Sequence, residues 1–474
     1  MKTIAILSPR ILLSIQLLKT CIDDLAAHKL QFNLINLNSG ELDQATVNRF
    51  FKENGLDPSK IHNTTSPRAL KEYYEDSLKS GAKLLLISST YNSAPRLREA
   101  GIPIDLVFND EAQYLVGEQF QDCFGLGTYQ FSFTATQKVT DSPHGRGMDN
   151  AGLFGDIVYT KSPKSLIAAG EIVPPAIHIV DTLDGRVHIA DDDYESLASC
   201  MVESFLKHEE KVEAYSISPG VIGPKLLITC DGQLTLKAIL DTQAFSEFQE
   251  NNPDVKLFAL SSDYGIRMNG TTGKDSPKRK EQFIAELGRM APNDRAIIIH
   301  VDMLAEGLDV PGITGIMPFR NLGQTKFLQT LGRATRLHNA DRAKLYGGEL
   351  QPGDYRNYVK PFAWVIIPRV MTNGRDAYNR YLGYADDIRT RFEFLASDLV
   401  IVDDTNGIGP EQTPDFANAE STVSDDNKVI LTKAAIEAYF HSIEDIEHAA
   451  LTMGTFWHDE LYLAMLDEAL GNCA

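Results

Sequence analysis

A chain of 474 residues, 43% hydrophobic and 23% charged, has the composition of a soluble globular protein long enough for two or three separate cores. Five scattered cysteines (Cys21, Cys123, Cys200, Cys230, Cys473) with no short paired spacing argue against a zinc site or a disulfide framework and point to a reducing, cytoplasmic setting. No apolar run is long enough to span a bilayer, and Pro9 and Arg10 cut short the apolar start that could pass for a secretion signal. The net charge of −20 is unevenly spread: residues 396–474 hold sixteen acidic and two basic side chains, so the rest of the chain is close to balanced. A balanced core can still gather basic groups along one groove, because local potential governs association more than the total does.

In chain order, residues 1–140 alternate short apolar runs with amphipathic ones, the pattern of a parallel sheet flanked by helices. Strands are predicted at Thr3–Leu7, Phe32–Leu37, Lys83–Ser88, Ile104–Phe108 and Gln130–Phe133, and helices at Ile11–Ala27, Leu42–Asn54 and Pro67–Ser80. A second alternation follows Gly155. It begins with a hairpin, Ile177–Val180 and Val187–Ala190 around Asp184-Gly185. Further strands are expected at Leu226–Cys230, Lys256–Leu260, Ala296–Val301, Ile313–Pro318 and Ala363–Ile367, with helices at Leu234–Glu250 and Ser276–Gly288. Asp403–Asn427 has the Asp, Gly, Pro and Ser content of a linker, and helical spacing returns at Thr432–Ala450 and Phe456–Leu470. The expected domains are residues 1–155, 156–395 and an acidic linker with a small helical appendage over 396–474.

The chemistry is concentrated in a few motifs. Asp110-Glu111-Ala112-Gln113 follows the apolar run Ile104–Phe108, and adjacent carboxylates at a strand end can hold Mg²⁺ (Asp110, with Glu111) and polarise an attacking water (Glu111). The plainer reading of an Asp-Glu pair is a solvated turn. In Gln329-Thr330-Leu331-Gly332-Arg333-Ala334-Thr335-Arg336, helical spacing puts Gln329, Gly332, Arg333 and Arg336 on one face. Gly332 lets that face approach another surface closely, and two arginines there can stabilise charge on a transferring phosphoryl group. The plainer reading is an exposed basic helix. Gly270-Thr271-Thr272-Gly273-Lys274-Asp275 superficially fits a phosphate loop, yet Met268 replaces the first glycine and Asp275 the metal-binding hydroxyl, so a polar loop is expected.

The order of Asp110–Gln113, Phe133-Thr134-Ala135-Thr136, Glu306-Gly307-Leu308-Asp309 and Gln329–Arg336 resembles that of the superfamily-two helicases and translocases, ATP-driven motors that move along nucleic acid. The resemblance implies an α/β fold of two tandem RecA-like lobes, with parallel sheets flanked by helices and ATP with Mg²⁺ bound between them. It implies that Thr134 and Thr136, with Gln113 in place of the commoner His or Asp, couple the metal site to movement. It also implies that Gly307, Asp309 and Gly332 meet the nucleotide, and that Gln329, Arg333 and Arg336 join Glu111 in catalysis. Ser8-Pro9-Arg10 and Thr90-Tyr91-Asn92 resemble segments that touch a nucleic-acid backbone, DNA being the expected track with RNA left open. Leu153-Phe154-Gly155-Asp156, continuing through Ala168–Pro175, is similar to the crossing between lobes in type I and type III restriction motors and phage recombination helicases. The likeness covers roughly residues 3–345 and leaves the acidic tail unexplained.

In this family a Gly-Lys phosphate loop lies shortly before the segment that here opens with Met1, so the chain resembles such a motor without its first strand, loop and helix. Backbone N–H groups and a lysine normally neutralise the β- and γ-phosphates there. The expectation is therefore a helicase or translocase completed by a separate polypeptide, as a split phage gene would produce. The alternative is a non-hydrolysing nucleic-acid-binding or scaffold remnant.

Overall fold

The computed structural model describes residues 1–9, 31–37, 61–135, 137–139, 145–183, 189–190, 192–230, 233–261, 265–268, 271–274, 277–301, 310, 312–319, 322–370, 376–394 and 398–404, with Ser14, Leu17, Leu18, Cys21, Ile22, Leu25 and Lys52 besides. Two compact units divide it, Met1–Thr160 and the chain from Lys161 onward.

The first unit is built on six parallel strands, β1 (Lys2–Ser8), β2 (Phe32–Leu37), β3 (Ile61–Asn63), β4 (Leu84–Thr90), β5 (Ile104–Asn109) and β6 (Gly127–Ser132), in the order β3-β2-β4-β1-β5-β6. Central β4 is buried along its whole length, as a strand covered on both faces must be. Alternation sends Ala5 and Leu7 into one core with Val107 and Leu97, and Ile6 into another with Leu18, Ile22 and Leu34. The helix expected over Ile11–Ala27 is present at its six described positions, and the one over Leu42–Asn54 lies outside the described residues apart from Lys52. The helix Pro67–Lys79 starts where Ser66 accepts a hydrogen bond from the Ala69 amide and Pro67 fills the first helical position, where no donor is needed.

The second unit holds nine strands: β7 (Pro175–Val180), β8 (Lys225–Thr229), β9 (Lys256–Ser261), β10 (Gly265–Met268), β11 (Thr271–Gly273), β12 (Ala296–His300), β13 (Gly315–Pro318), β14 (Ala363–Pro368) and β15 (Val400–Asp404). Their order is β11-β10-β9-β12-β8-β13-β14-β7-β15, antiparallel only where β10 meets β9 and β11. Leu227 and Ile298 point into one core, and Leu226, Ile228, Ile297 and Ile299 into the other.

Four expectations need correction. Neighbours β14 and β15 occupy both edges of β7, which leaves no place for a hairpin partner; Asp184–Val187 lies outside the described residues, and Ile189 and Ala190 are not in a strand. The helix predicted over Leu234–Glu250 is two, Gln233–Leu240 and Gln243–Asn251, because Thr242 accepts from the Phe245 amide and starts a new helix. The polar loop expected over Gly270–Lys274 is a strand at Thr271–Gly273, where β11 pairs with β10 and the Thr271 carbonyl accepts from Arg279. The second sheet also runs to Asp404, past the boundary expected at residue 395. The predicted helices at Thr432–Ala450 and Phe456–Leu470 lie outside the described residues.

Candidate active site

Strand β5 ends at Asn109, and the next residue is tied to β1 when the Asp110 amide donates to the Leu7 carbonyl at 2.8 Å. Glu111 then takes a left-handed backbone, φ 53° and ψ 48°, before the turn Ala112–Val116. A non-glycine residue pays roughly 1–2 kcal/mol for that conformation. Hydrogen bonds from both sides hold it: the Ala112 amide donates to Phe133 O and the Phe133 amide to Asn109 O, which fastens the end of β6 onto the carboxylate turn.

Side chains complete the fastening. The Gln113 amide nitrogen donates to Glu111 Oε2 at 2.6 Å, and Thr134 Oγ1 donates to Gln113 Oε1 at 2.7 Å. The glutamine is oriented by its partners: a carboxylate needs a donor and a hydroxyl can donate onward, so N faces Glu111 and O faces Thr134. This gives Gln113 a defined task that its departure from the commoner residue left open. Thr136 lies outside the described residues.

Asp110 sits in a strained electrostatic position. Burial, and then the adjacent Glu111 carboxylate, push its pKa up to about 6. A hard divalent cation would relieve that strain, so Asp110 and Glu111 fit the residues expected to hold Mg²⁺. Among the described residues no group of three His, Cys, Asp or Glu side chains could hold a metal ion. Mg²⁺ typically binds through one or two carboxylates and keeps water and phosphate as its other ligands.

The proposed backbone-contact residues fare differently. Ser8 and Thr90 are paired in register at the ends of β1 and β4, but their side chains are buried, as is Tyr91, 1% exposed. The Tyr91 hydroxyl donates to the Asp110 carbonyl at 2.5 Å, so this residue braces the carboxylate turn from inside and is not a surface contact. Burial drives its own ionisation far upward and keeps it a donor. Pro9 is half-buried and Asn92 exposed, and Arg10 lies outside the described residues. The sequence signal missed was that a tyrosine following an apolar strand belongs to the core as readily as to the surface.

In the second unit, the helix Gln324–Ala334 buries Phe327, Thr330, Leu331 and Ala334, spaced three and four apart. Phe327 stacks on Tyr384 with centroids 4.2 Å apart, and the Tyr384 hydroxyl accepts from the Leu322 amide just before the helix. Gln329 is half-buried and Gly332 exposed, and a Cβ built on Gly332 would meet no atom within 4 Å. Room for close approach by a ligand is therefore present.

The expected single face with both arginines is not observed. Arg333 is on the helix and 9% exposed, whereas Arg336 lies beyond the helix end, exposed, in an isolated antiparallel bridge with Ile172. The cause is external capping. The Lys360 ammonium is fully buried and donates to the carbonyls of Ala334 and Arg336, the latter at 2.7 Å. The Val173 amide takes the Thr335 carbonyl at 2.9 Å. Carbonyls so engaged stop the helix. Asp341, 0% exposed, accepts from the amides of Val359 and Lys360 and anchors the lysine's own backbone. Burial brings the Lys360 pKa down to about 7 despite the pull of Asp341. Lys360 carries no motif signature; only the fold reveals it. Gly307 and Asp309 lie outside the described residues.

Among solved structures, the chain is similar to the ATP-dependent Type ISP restriction-modification enzyme LlaBIII bound to DNA, with a TM-score of 0.56 and 14% identity over 87% of this chain and 28% of that one. The two share an α/β fold. A nuclease-deletion mutant of the Type ISP enzyme LlaGI, in complex with a DNA substrate mimic, matches with a TM-score of 0.50 and 14% identity over 85% of this chain and 26% of that one. The chain thus spans about a quarter of the length of these enzymes, and at this identity the likeness is one of fold. No protein-family model and no curated protein matches the sequence. Among the described residues no helix is long and apolar enough to cross a membrane.

Proposed function

We propose that this chain acts in an ATP-dependent DNA helicase or translocase, with the phosphate loop supplied by a separate polypeptide. The observation that carries the reading is the Glu111–Gln113–Thr134 chain of hydrogen bonds beside Asp110. A solvated Asp-Glu turn has no reason to fix one carboxylate oxygen through two further side chains. A base toward water does, because its lone pair must be aimed. When bound, Mg²⁺ held by Asp110 and Glu111 would supply charge neutralisation on the phosphates. Glu111 would take the proton of the attacking water, and Gln113 would hold its other oxygen still. Arg336 and Gly332, both exposed, would meet the nucleotide, with Arg333 and Gln329 behind them. Gly307 and Asp309 keep their expected nucleotide contacts, and Arg10, Pro9 and Asn92 their backbone contacts, within this proposal.

One observation favours a non-hydrolysing nucleic-acid-binding role instead: the sequence holds no Gly-Lys-Thr/Ser loop, and its nearest imitation is the β10–β11 hairpin. Kinetics on the purified chain separate the two. The chain alone is expected to turn ATP over far below the roughly 1–100 s⁻¹ of phosphoryl-transfer enzymes, and a loop-bearing segment to restore turnover. Glu111→Gln in the restored protein should then abolish turnover and spare ATP binding. Full activity in Glu111→Gln would defeat the motor reading.

A further inference from the structure

Two ammonium groups lie buried near the point where Arg336 leaves the end of the helix Gln324–Ala334. Lys360, 2% exposed, donates to the carbonyls of Ala334 and Arg336. Lys225, the first residue of β8 and 1% exposed, donates to the Pro292 carbonyl at 2.7 Å. The buried His338 ring adjoins Lys225: a Cβ built on Gly312 would stand 3.5 Å from the ring and 3.6 Å from the ammonium. Its Nδ1 atom accepts from the Ala340 amide, so the neutral ring carries its proton on Nε2.

Among the described residues neither ammonium is in an ion pair, and each meets only backbone carbonyls. The carboxylates nearby are otherwise engaged. Asp341 accepts from the amides of Val359 and Lys360, and Asp294 pairs with Lys256. Other neighbours add positive charge or none: Arg336 and Lys225 repel Lys360, Lys344 attracts Asp341, and the Tyr358 phenol donates to the Gln351 carbonyl. An ammonium buried without a carboxylate tends to give up its proton. The neutral amine still has two N–H groups. Lys360 has two carbonyls to serve and Lys225 one, so either can lose a proton and keep every hydrogen bond. Only the repulsion among Lys225, Lys360 and Arg336 is lost.

We propose that Lys225, His338, Asp341 and Lys360 form a proton-operated latch on the arginine segment, firm when a lysine is neutral and loosened when both are charged. Burial brings Lys360 down to about 7 and Lys225 to about 8, while His338, pushed down to about 4, stays neutral over that range. From about pH 7 up to the ordinary lysine range the folded chain therefore binds fewer protons than the unfolded one. Stability of the second unit should rise with pH through that window. The latch is a property of the fold, and only its bearing on a phosphate rests on the proposed function.

The full chain, made with isotope-labelled lysine, is titrated by side-chain NMR, with Lys225→Met and Lys360→Gln to assign the two signals. Both lysines are expected to titrate at least about one pH unit below exposed ones, whose ordinary value is about 10.4. Lys225→Met should move the Lys360 midpoint upward by about half a pH unit or more, because a repelling charge is gone, and Asp341→Asn should move it downward. Amide exchange at Val173, which donates to the Thr335 carbonyl, reads the latch itself. Its protection factor, corrected for the intrinsic rate, should rise about threefold or more as the lysines lose their protons. A wild-type chain with no lysine titrating below about pH 9.5 would overturn the proposal, whether or not the variants fold. So would a Val173 protection factor that stays flat through the titration, or a Lys360 midpoint that Lys225→Met leaves in place. An intact titration and latch in a completed protein that never turns ATP over would count against the motor reading alone.

Discussion

The carboxylate turn and the arginine segment are held in place by opposite means. In the first, side chains fix side chains: Thr134 holds Gln113, and Gln113 holds Glu111. In the second, distant groups fix the backbone: Lys360 and Val173 take the carbonyls of residues 334–336, and Arg336 projects from a rigid main chain. The difference follows from the jobs proposed for them. A base must aim one lone pair, so its own carboxylate is oriented. An arginine proposed to meet a phosphate needs a firm root.

The largest test of this contrast is Lys360→Met. Removing the ammonium leaves buried carbonyls unmet and takes a positive charge from the neighbourhood of the buried Asp341 carboxylate. The second unit should lose about 3–5 kcal/mol in denaturant unfolding, with Arg336 no longer held at its root. A loss below 1 kcal/mol would mean that the helix end is held by Val173 alone. Next comes Gln113→Ala, which breaks two side-chain bonds and should cost about 1–2 kcal/mol in the first unit only. Such a loss would be read as a shift in the midpoint of that unit's transition. A Gln113→Ala/Thr134→Val double-mutant cycle sharpens the point: coupling of about 0.5–1.5 kcal/mol is expected, and additive effects would show that the relay is two separate contacts.

The smallest effect is a gain. Asp110 has a folded-state pKa near 6, above its ordinary value of 3.8. Between those values the folded chain binds more protons than the unfolded one, so stability should fall as pH rises through this window and level off above it. Asp110→Asn removes that slope and should raise the first unit's Tm at neutral pH by about 1–3 °C, since partial exposure dilutes the strain. An unchanged slope in the variant would assign it to other carboxylates.

Much of the architecture was legible because buried parallel strands are written as continuous apolar runs. β1, β2, β4, β5, β8, β9, β12 and β14 lie within a residue or two of their predicted spans. The carboxylates were legible for the same reason, since they punctuate such a run. What escaped depended on partners far away in sequence. Spacing alone places Arg336 on the helix face; only Lys360, 24 residues later, ends the helix before it. Ser-Thr-Tyr-Asn reads as a polar turn until the Asp110 carbonyl is seen within reach of Tyr91. Val400–Asp404 reads as the start of an acidic linker, yet Lys211 and His178 meet Asp404 and let it close the sheet. Short β3 carries too little pattern to be found.

The capping of the arginine segment also fixes a moment in the life of the chain. Val173 emerges early in synthesis, the helix Gln324–Ala334 much later, and Lys360 later still. Until all three are present the last carbonyls of that helix have only water as a partner, so Arg336 gains its root no earlier than the stretch that also brings in β14. Non-local closure of this kind is slow, because the entropy of a long loop is lost before the contact rewards it. A nascent second unit would therefore set its arginine segment at about the time that β14 joins β13 to β7.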